Sequence, residues 1–144
     1  MFVRHILETK GTDVATVGSG ASVADVAQAL ALHRIGALVV SDDGERIAGI
    51  VSERDVARAV AERGADALAL PVTEAMTGDV RTCGLDDTVD SLMETMTSRR
   101  IRHLPVTVDG RLAGIVSIGD VVKHRLAELQ NESQVLHDYL YTGR

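Results

Sequence analysis

The chain has 144 residues, 45% of them apolar and 25% charged, with a formal net charge of −6 at pH 7. This is a single-domain length with enough aliphatic side chains for a core. The acidic balance gives no basic face for nucleic-acid phosphates, and Phe2, Tyr139 and Tyr141, all at the chain ends, offer no stacking platform for single strands. No apolar run reaches membrane-spanning length, the N-terminus lacks a signal-peptide pattern, and the one cysteine, Cys83, excludes an internal disulfide framework. A soluble, cytoplasmic protein is expected.

In chain order, Asp13–Gly18 reads as a strand. Ser22-x-x-Asp25 then opens a helix whose apolar face is Val23, Val26, Ala27 and Leu30. The next strand is Ala37–Ser41, closed by an Asp43-Gly44 turn that leads into Ile47–Ser52. A second helix follows Ser52. Gly64–Met76, with Pro71 inside it, reads as a connector. The same grammar then returns. Val80–Cys83 is a strand, Thr88 opens a helix carrying Val89, Leu92, Met93 and Met96, and His103–Val108 and Leu112–Ser117 flank Asp109-Gly110. The last helix begins after Ser117. It carries Val122, Leu126, Leu129, Ser133, Leu136 and Leu140 at alternating four- and three-residue steps, a heptad-like stripe suited to self-pairing or to a partner protein.

The two halves repeat. "AGIVSERDV" from Ala48 and "AGIVSIGDV" from Ala113 differ only at Glu53/Ile118 and Arg54/Gly119. Thr16-Val17-Gly18 aligns with Thr82-Cys83-Gly84, Ile35 with Ile101, and Leu38-Val39-Val40 with Leu104-Pro105-Val106. One extra residue in the first copy's turn then shortens the offset, which a surface turn tolerates. Each copy is β-α-β-β-α and too small to bury its own surface well, so the two are expected to pack together as an α+β fold. The expected divisions are 8–66, 73–130 and a helical extension over 131–144.

The stretches "HRIGALVVSDDGERIAGIVSERDV" and "RRIRHLPVTVDGRLAGIVSIGDV", with "VTEAMT" between them, resemble a tandem pair of cystathionine-β-synthase (CBS) domains, a Bateman module of the stand-alone type. The resemblance covers about residues 8–130. It implies a non-enzymatic regulatory module, usually a flat homodimer, with a cleft for adenosine-containing ligands such as AMP, ATP, NAD(H) or S-adenosylmethionine. No cofactor is obligatory in such a module, and an effector protein is a further expected partner.

A serine at a helix start presents a hydroxyl and free N–H groups to a phosphate, and an aspartate one turn later can accept both ribose hydroxyls. By resemblance, Ser52 and Asp55 serve one site and Ser117 and Asp120 the other, with Ile50 and Ile115 as aliphatic walls for adenine. The strands entering the hairpins, Ile35-Gly36-Ala37 and Arg102-His103-Leu104, are expected to contribute as well. Arg102, His103 and Lys123 are expected beside Ser117 and Asp120, making that site the more basic, while the first site is left mainly with Arg54. Ser-x-x-Asp is also a plain capping box, contributing about 1 kcal/mol without any ligand; both readings stand at this level.

Other patterns fail on inspection. "VGSGASV" imitates a dinucleotide fingerprint, but Val23 holds its third glycine position and Asp42 falls in a hairpin. The five histidines lack metal-ligand spacing, Cys83 reads as a small core residue, and no nucleophile motif is present. The rival to a ligand-binding module is a structural adaptor that binds a partner protein through its C-terminal helix.

Overall fold

The computed structural model describes residues 1–142, so the last two positions of the expected extension lie outside the described residues. Its elements are α1 (Val3–Lys10), β1 (Thr16–Val17), α2 (Val23–His33), β2 (Ala37–Val40), β3 (Gly49–Ser52), α3 (Glu53–Arg63), a 3-10 helix (Gly64–Ala69), α4 (Val72–Ala75), α5 (Val89–Arg99), β4 (His103–Val108), β5 (Arg111–Ser117) and α6 (Ile118–Tyr141). The first unit holds the sheet β1-β2-β3, with β1 parallel and β3 antiparallel to β2. The second holds the hairpin β4-β5, with His103 opposite Ser117.

The repeat dictates this folding locally. Ser22, Ser52 and Ser117 each accept from the N–H three residues on, and the aspartate there accepts from the serine's own N–H, so all three helices begin with complete capping boxes. Asp109 and Gly110 both have positive φ, at 53° and 77°, which suits a tight two-residue hairpin turn. Two expected strands are shorter than the sequence suggests. Asp13–Gly18 reduces to Thr16–Val17, and Val80–Cys83 to a single bridge between Cys83 and Val106, because the chain crosses the edge of the neighbouring strand and turns at once toward its helix.

Two cores form, and each borrows an element from the other side of the repeat. The first gathers Val26, Leu30, Leu38, Val40 and Val51 with Val72. The second gathers Val89, Leu92, Met96, Leu104, Val106, Val116 and Val121 with Val3, Ile6 and Leu7 of α1. The N-terminal helix, which carries no expected element, thus packs on the second unit, and the supposed connector Gly64–Met76 packs on the first. The attachments match bond for bond. Val3 N–H donates to Asp87 O at 2.9 Å and Val89 N–H to Met1 O at 2.9 Å; Val72 N–H donates to Ala21 O at 2.8 Å and Val23 N–H to Leu70 O at 2.9 Å.

The glycines of the two "AGIVS" strands make this exchange possible. A Cβ on Gly114 would sit 2.9 Å from Leu7 Cδ1, and one on Gly49 would sit 2.9 Å from Thr77 O and inside contact distance of the Met76 side chain. Only glycine lets the borrowed segment lie this close.

Candidate functional site

Both Ser-Asp junctions lie where a β-strand feeds a helix. At the first, Ser52 N–H donates to Asp55 Oδ2 at 2.8 Å, Ser52 Oγ–H to the same oxygen at 3.0 Å, and Asp55 N–H to Ser52 Oγ at 3.3 Å. At the second, Ser117 N–H donates to Asp120 Oδ2 at 2.8 Å and Asp120 N–H to Ser117 Oγ at 3.2 Å. The capping role is therefore realised at both. It uses Oδ2 of each aspartate, so Oδ1 is not consumed by the cap.

Each junction opens on a cleft whose opposite wall comes from the other unit. Ser52, Asp55, Ile50 and Arg54 line a cavity of about 260 Å³ together with Arg100, Arg102 and His103. Ser117, Asp120 and Ile115 line a cavity of about 660 Å³ together with Ile35, Gly36 and Ala37. The second volume lies within the 300–1,000 Å³ typical of small-molecule sites. Gly36 and His103 border both cavities; a Cβ on Gly36 would come within 3.1 Å of His103 Cε1.

This crossing corrects the expected grouping. Arg102 lies on the lining of the Ser52/Asp55 cleft, not on that of Ser117/Asp120. Lys123, on the exposed side of α6, lines neither cavity, and Leu104 is buried in the second core at 1% exposure. The expected basic bias toward the second junction is reversed, because the two units present their hairpin entrances to one another rather than each to its own junction.

Lys10 is one of the residues that sequence reasoning missed. Its ammonium donates to Asp120 Oδ2 at 2.6 Å and to Ile115 O at 2.8 Å. The cause is a length difference within the repeat: α1 spans eight residues where α4 spans four. In the shorter copy the chain instead runs on as Thr77, whose backbone pairs with Ile50. Partial burial pushes the Asp120 carboxyl up, but the Lys10 ammonium and the Ser117 N–H outweigh it and hold the group below its ordinary value. Burial, followed by the Lys10 ammonium, pushes the His103 imidazole below its ordinary value, which favours its neutral form; Glu53 and Asp120 pull the other way, and Arg102 adds to the depression.

Arg34 and Arg100 were also missed, although "HRI" and "RRI" place them at equivalent positions. Each ends a helix in the left-handed region, at φ 53° and 54°, and each lines the cleft whose junction belongs to the other unit. Among the described residues no group of three or more His, Cys, Asp or Glu is arranged to hold a metal ion, and no helix is long and apolar enough to cross a membrane.

A two-unit chain with borrowed helices and a Ser-Asp junction in each cleft has a counterpart among known families. A family model described as the CBS domain matches residues 3–62 and again residues 72–127. The chain belongs to the CBS domain family. A CBS domain-containing protein of Agrobacterium tumefaciens has a solved structure 52% identical to this CBS pair, covering 87% of this chain and 99% of that one, with a TM-score of 0.84. A CBS domain protein of Pyrobaculum aerophilum, solved with AMP, is 31% identical over 83% of this chain and 89% of its own, with a TM-score of 0.74. Another CBS pair, solved with 5′-methylthioadenosine and S-adenosyl-L-methionine, is 28% identical over 89% of this chain and 98% of its own, at TM-score 0.79. A mitochondrial CBS domain-containing protein of Arabidopsis thaliana is 37% identical over 126 residues, 85% of this chain; the match spans only 61% of that protein's length.

Proposed function

We propose that this CBS pair is a non-enzymatic regulatory module whose clefts bind adenosine-containing ligands, with AMP, ATP and NAD(H) the leading candidates, and which signals as a cytoplasmic homodimer. The observation that carries the reading is the crossed geometry. Each cleft sets a helix-start serine and an aspartate whose Oδ1 stays out of the cap opposite the aliphatic and basic strand of the other unit; Asp55 Oδ1 faces the exposed Arg58 guanidinium at 3.5 Å, and Asp120 Oδ1 faces no such partner among the described residues. A ribose donates its two hydroxyls to the aspartate, a phosphate meets the N–H groups and hydroxyl at the helix start, and adenine lies against Ile50 or Ile115. A ligand held this way touches both units, so it favours one relative arrangement of the halves over others. The AMP-bound and S-adenosylmethionine-bound relatives support the ligand class.

The adaptor reading has one observation in its favour: Val122, Leu126, Leu129, Leu136 and Leu140 are exposed along α6. Thermal-shift measurements with AMP, ATP, NAD(H) and S-adenosylmethionine separate the two. A ligand at a hundred times its dissociation constant stabilises by about 2.7 kcal/mol, enough to raise the midpoint by several degrees. No shift with any of the four compounds favours the adaptor.

A further inference from the structure

The two clefts differ in charge, and much of the difference traces to positions where the repeats disagree. The cleft at Ser52/Asp55 is lined by four arginines, Arg54, Arg58, Arg100 and Arg102, against two carboxylates, Glu53 and Asp55. The cleft at Ser117/Asp120 is lined by Lys10 and Arg34 against Asp13 and Asp120, with His33 and His103 beside them. Lys10 is already bound to Asp120, which leaves a single arginine and a single carboxylate free.

Repeat alignment explains this. Arg102 corresponds to Gly36, Arg54 to Gly119, and Arg58 to Lys123, which stands outside the second cleft. Of the four arginines only Arg58 has a carboxylate within 4.0 Å among the described residues, Asp55 at 3.5 Å. Arg54, Arg100 and Arg102 have none. Arg100 also occupies a left-handed helix terminus where glycine or asparagine is the usual residue, so its presence is not explained by backbone preference.

Resting on the adenosine reading above, we infer that the two clefts take different ligand classes: the Ser52/Asp55 cleft an adenosine phosphate, held more tightly as phosphates are added from AMP to ATP, and the Ser117/Asp120 cleft an adenosine compound with little or no net negative charge. Planar guanidiniums suit phosphate oxygens, and three of them are unpaired in the first cleft. A triphosphate entering the second cleft would bring its charge toward Asp13 and Asp120 with one free arginine to balance it. An uncharged adenosine compound there has only to share Asp120 with Lys10.

The test is calorimetric titration of ATP, adenosine and sodium tripolyphosphate into full-length protein carrying Asp120→Asn, which weakens the second site, and Asp55→Asn, which weakens the first. With Asp120→Asn the remaining site should prefer ATP over adenosine by tenfold or more; with Asp55→Asn the preference should fall to within about threefold. Arg100→Gln/Arg102→Gln, both on exposed residues, should abolish the ATP preference while leaving adenosine affinity within about twofold. Equal preferences at the two sites, or the reverse order, overturn the inference. Tripolyphosphate separates it from the adenosine reading. If no adenosine compound binds but tripolyphosphate does, and the double arginine variant loses that binding, the basic cleft stands and the adenosine reading falls. If the parent does not bind tripolyphosphate, the inference is overturned.

Discussion

Asp120 holds two observed roles on one carboxylate oxygen, and the proposed ribose contact adds a third. Oδ2 closes the capping box and takes the Lys10 ammonium, while Oδ1 takes neither and is the oxygen we propose for a ribose. Replacing Asp120 with Asn should weaken adenosine binding at the second cleft ten- to a hundred-fold, since bonds to a charged group contribute about 1.5–3 kcal/mol. Asn still caps a helix well, and a partly exposed ion pair is worth about 1 kcal/mol or less, so the unliganded midpoint should fall only slightly. A calorimetric affinity unchanged from the parent would remove Asp120 from the ribose site. His103 gives a pH signature of opposite character. Its pKa is lowered in the folded state, so below about pH 6.5 the unfolded chain binds more protons than the native one, and stability must fall as the pH drops through that range. Urea titrations at pH 7.5 and 5.5 should show a stability difference that His103→Gln reduces; an undiminished difference would assign the effect elsewhere. Cys83 is pushed up to about 12, first by burial and then by Asp87. It should therefore react with a thiol reagent only at the rate of unfolding, and rapid labelling of the native protein would contradict its core position.

At the scale of elements, the borrowed helices hold the module together. Leu7 is 5% exposed and packs over Gly114, although it lies far from the second unit in sequence. Leu7→Ala should cost about 2–5 kcal/mol, seen as a lowered urea midpoint, because the gap left above Gly114 has no side chain to fill it. A cost within the range of ordinary surface substitutions would show that α1 is not part of that core. The repeat itself made most elements legible: identical "AGIVS" strands, serine caps and Asp-Gly turns fix local structure by short-range chemistry. The exchange of α1 and the 72–75 turn escaped notice because it depends on contacts between segments with no shared periodicity. Val3/Val72 and Leu7/Met76 do align, at an offset of 69 in place of 66, and the extra turn of α1 hides that match. That same turn delivers Lys10. At the other end, α6 runs on past the second core with an exposed apolar stripe. Truncation after Leu126 should weaken self-association in light scattering while leaving nucleotide affinity nearly unchanged. A collapse of affinity would place the extension in the binding site.

At the scale of the whole molecule, the crossed packing of the units decides which strand faces which junction. Sequence placed Ser52, Asp55, Ser117 and Asp120 at strand-to-helix junctions, which are local, and each junction lies on the lining of a cleft. It misassigned Arg102 and Lys123, because which unit's strand faces which junction depends on how the halves pack and leaves no trace in spacing. The crossed arrangement makes a further demand: neither cleft is complete within one unit, so a ligand must stabilise both cores together. The most direct measurement is calorimetric titration of AMP into the parent protein and into Asp55→Asn/Asp120→Asn. The parent should bind saturably, and the double variant should bind at least tenfold more weakly while keeping its far-ultraviolet spectrum and cooperative melting. A parent that gives no binding heat and no AMP-dependent shift in melting temperature, or a double variant that binds AMP as tightly as the parent, would contradict the assignment of these clefts to adenosine ligands.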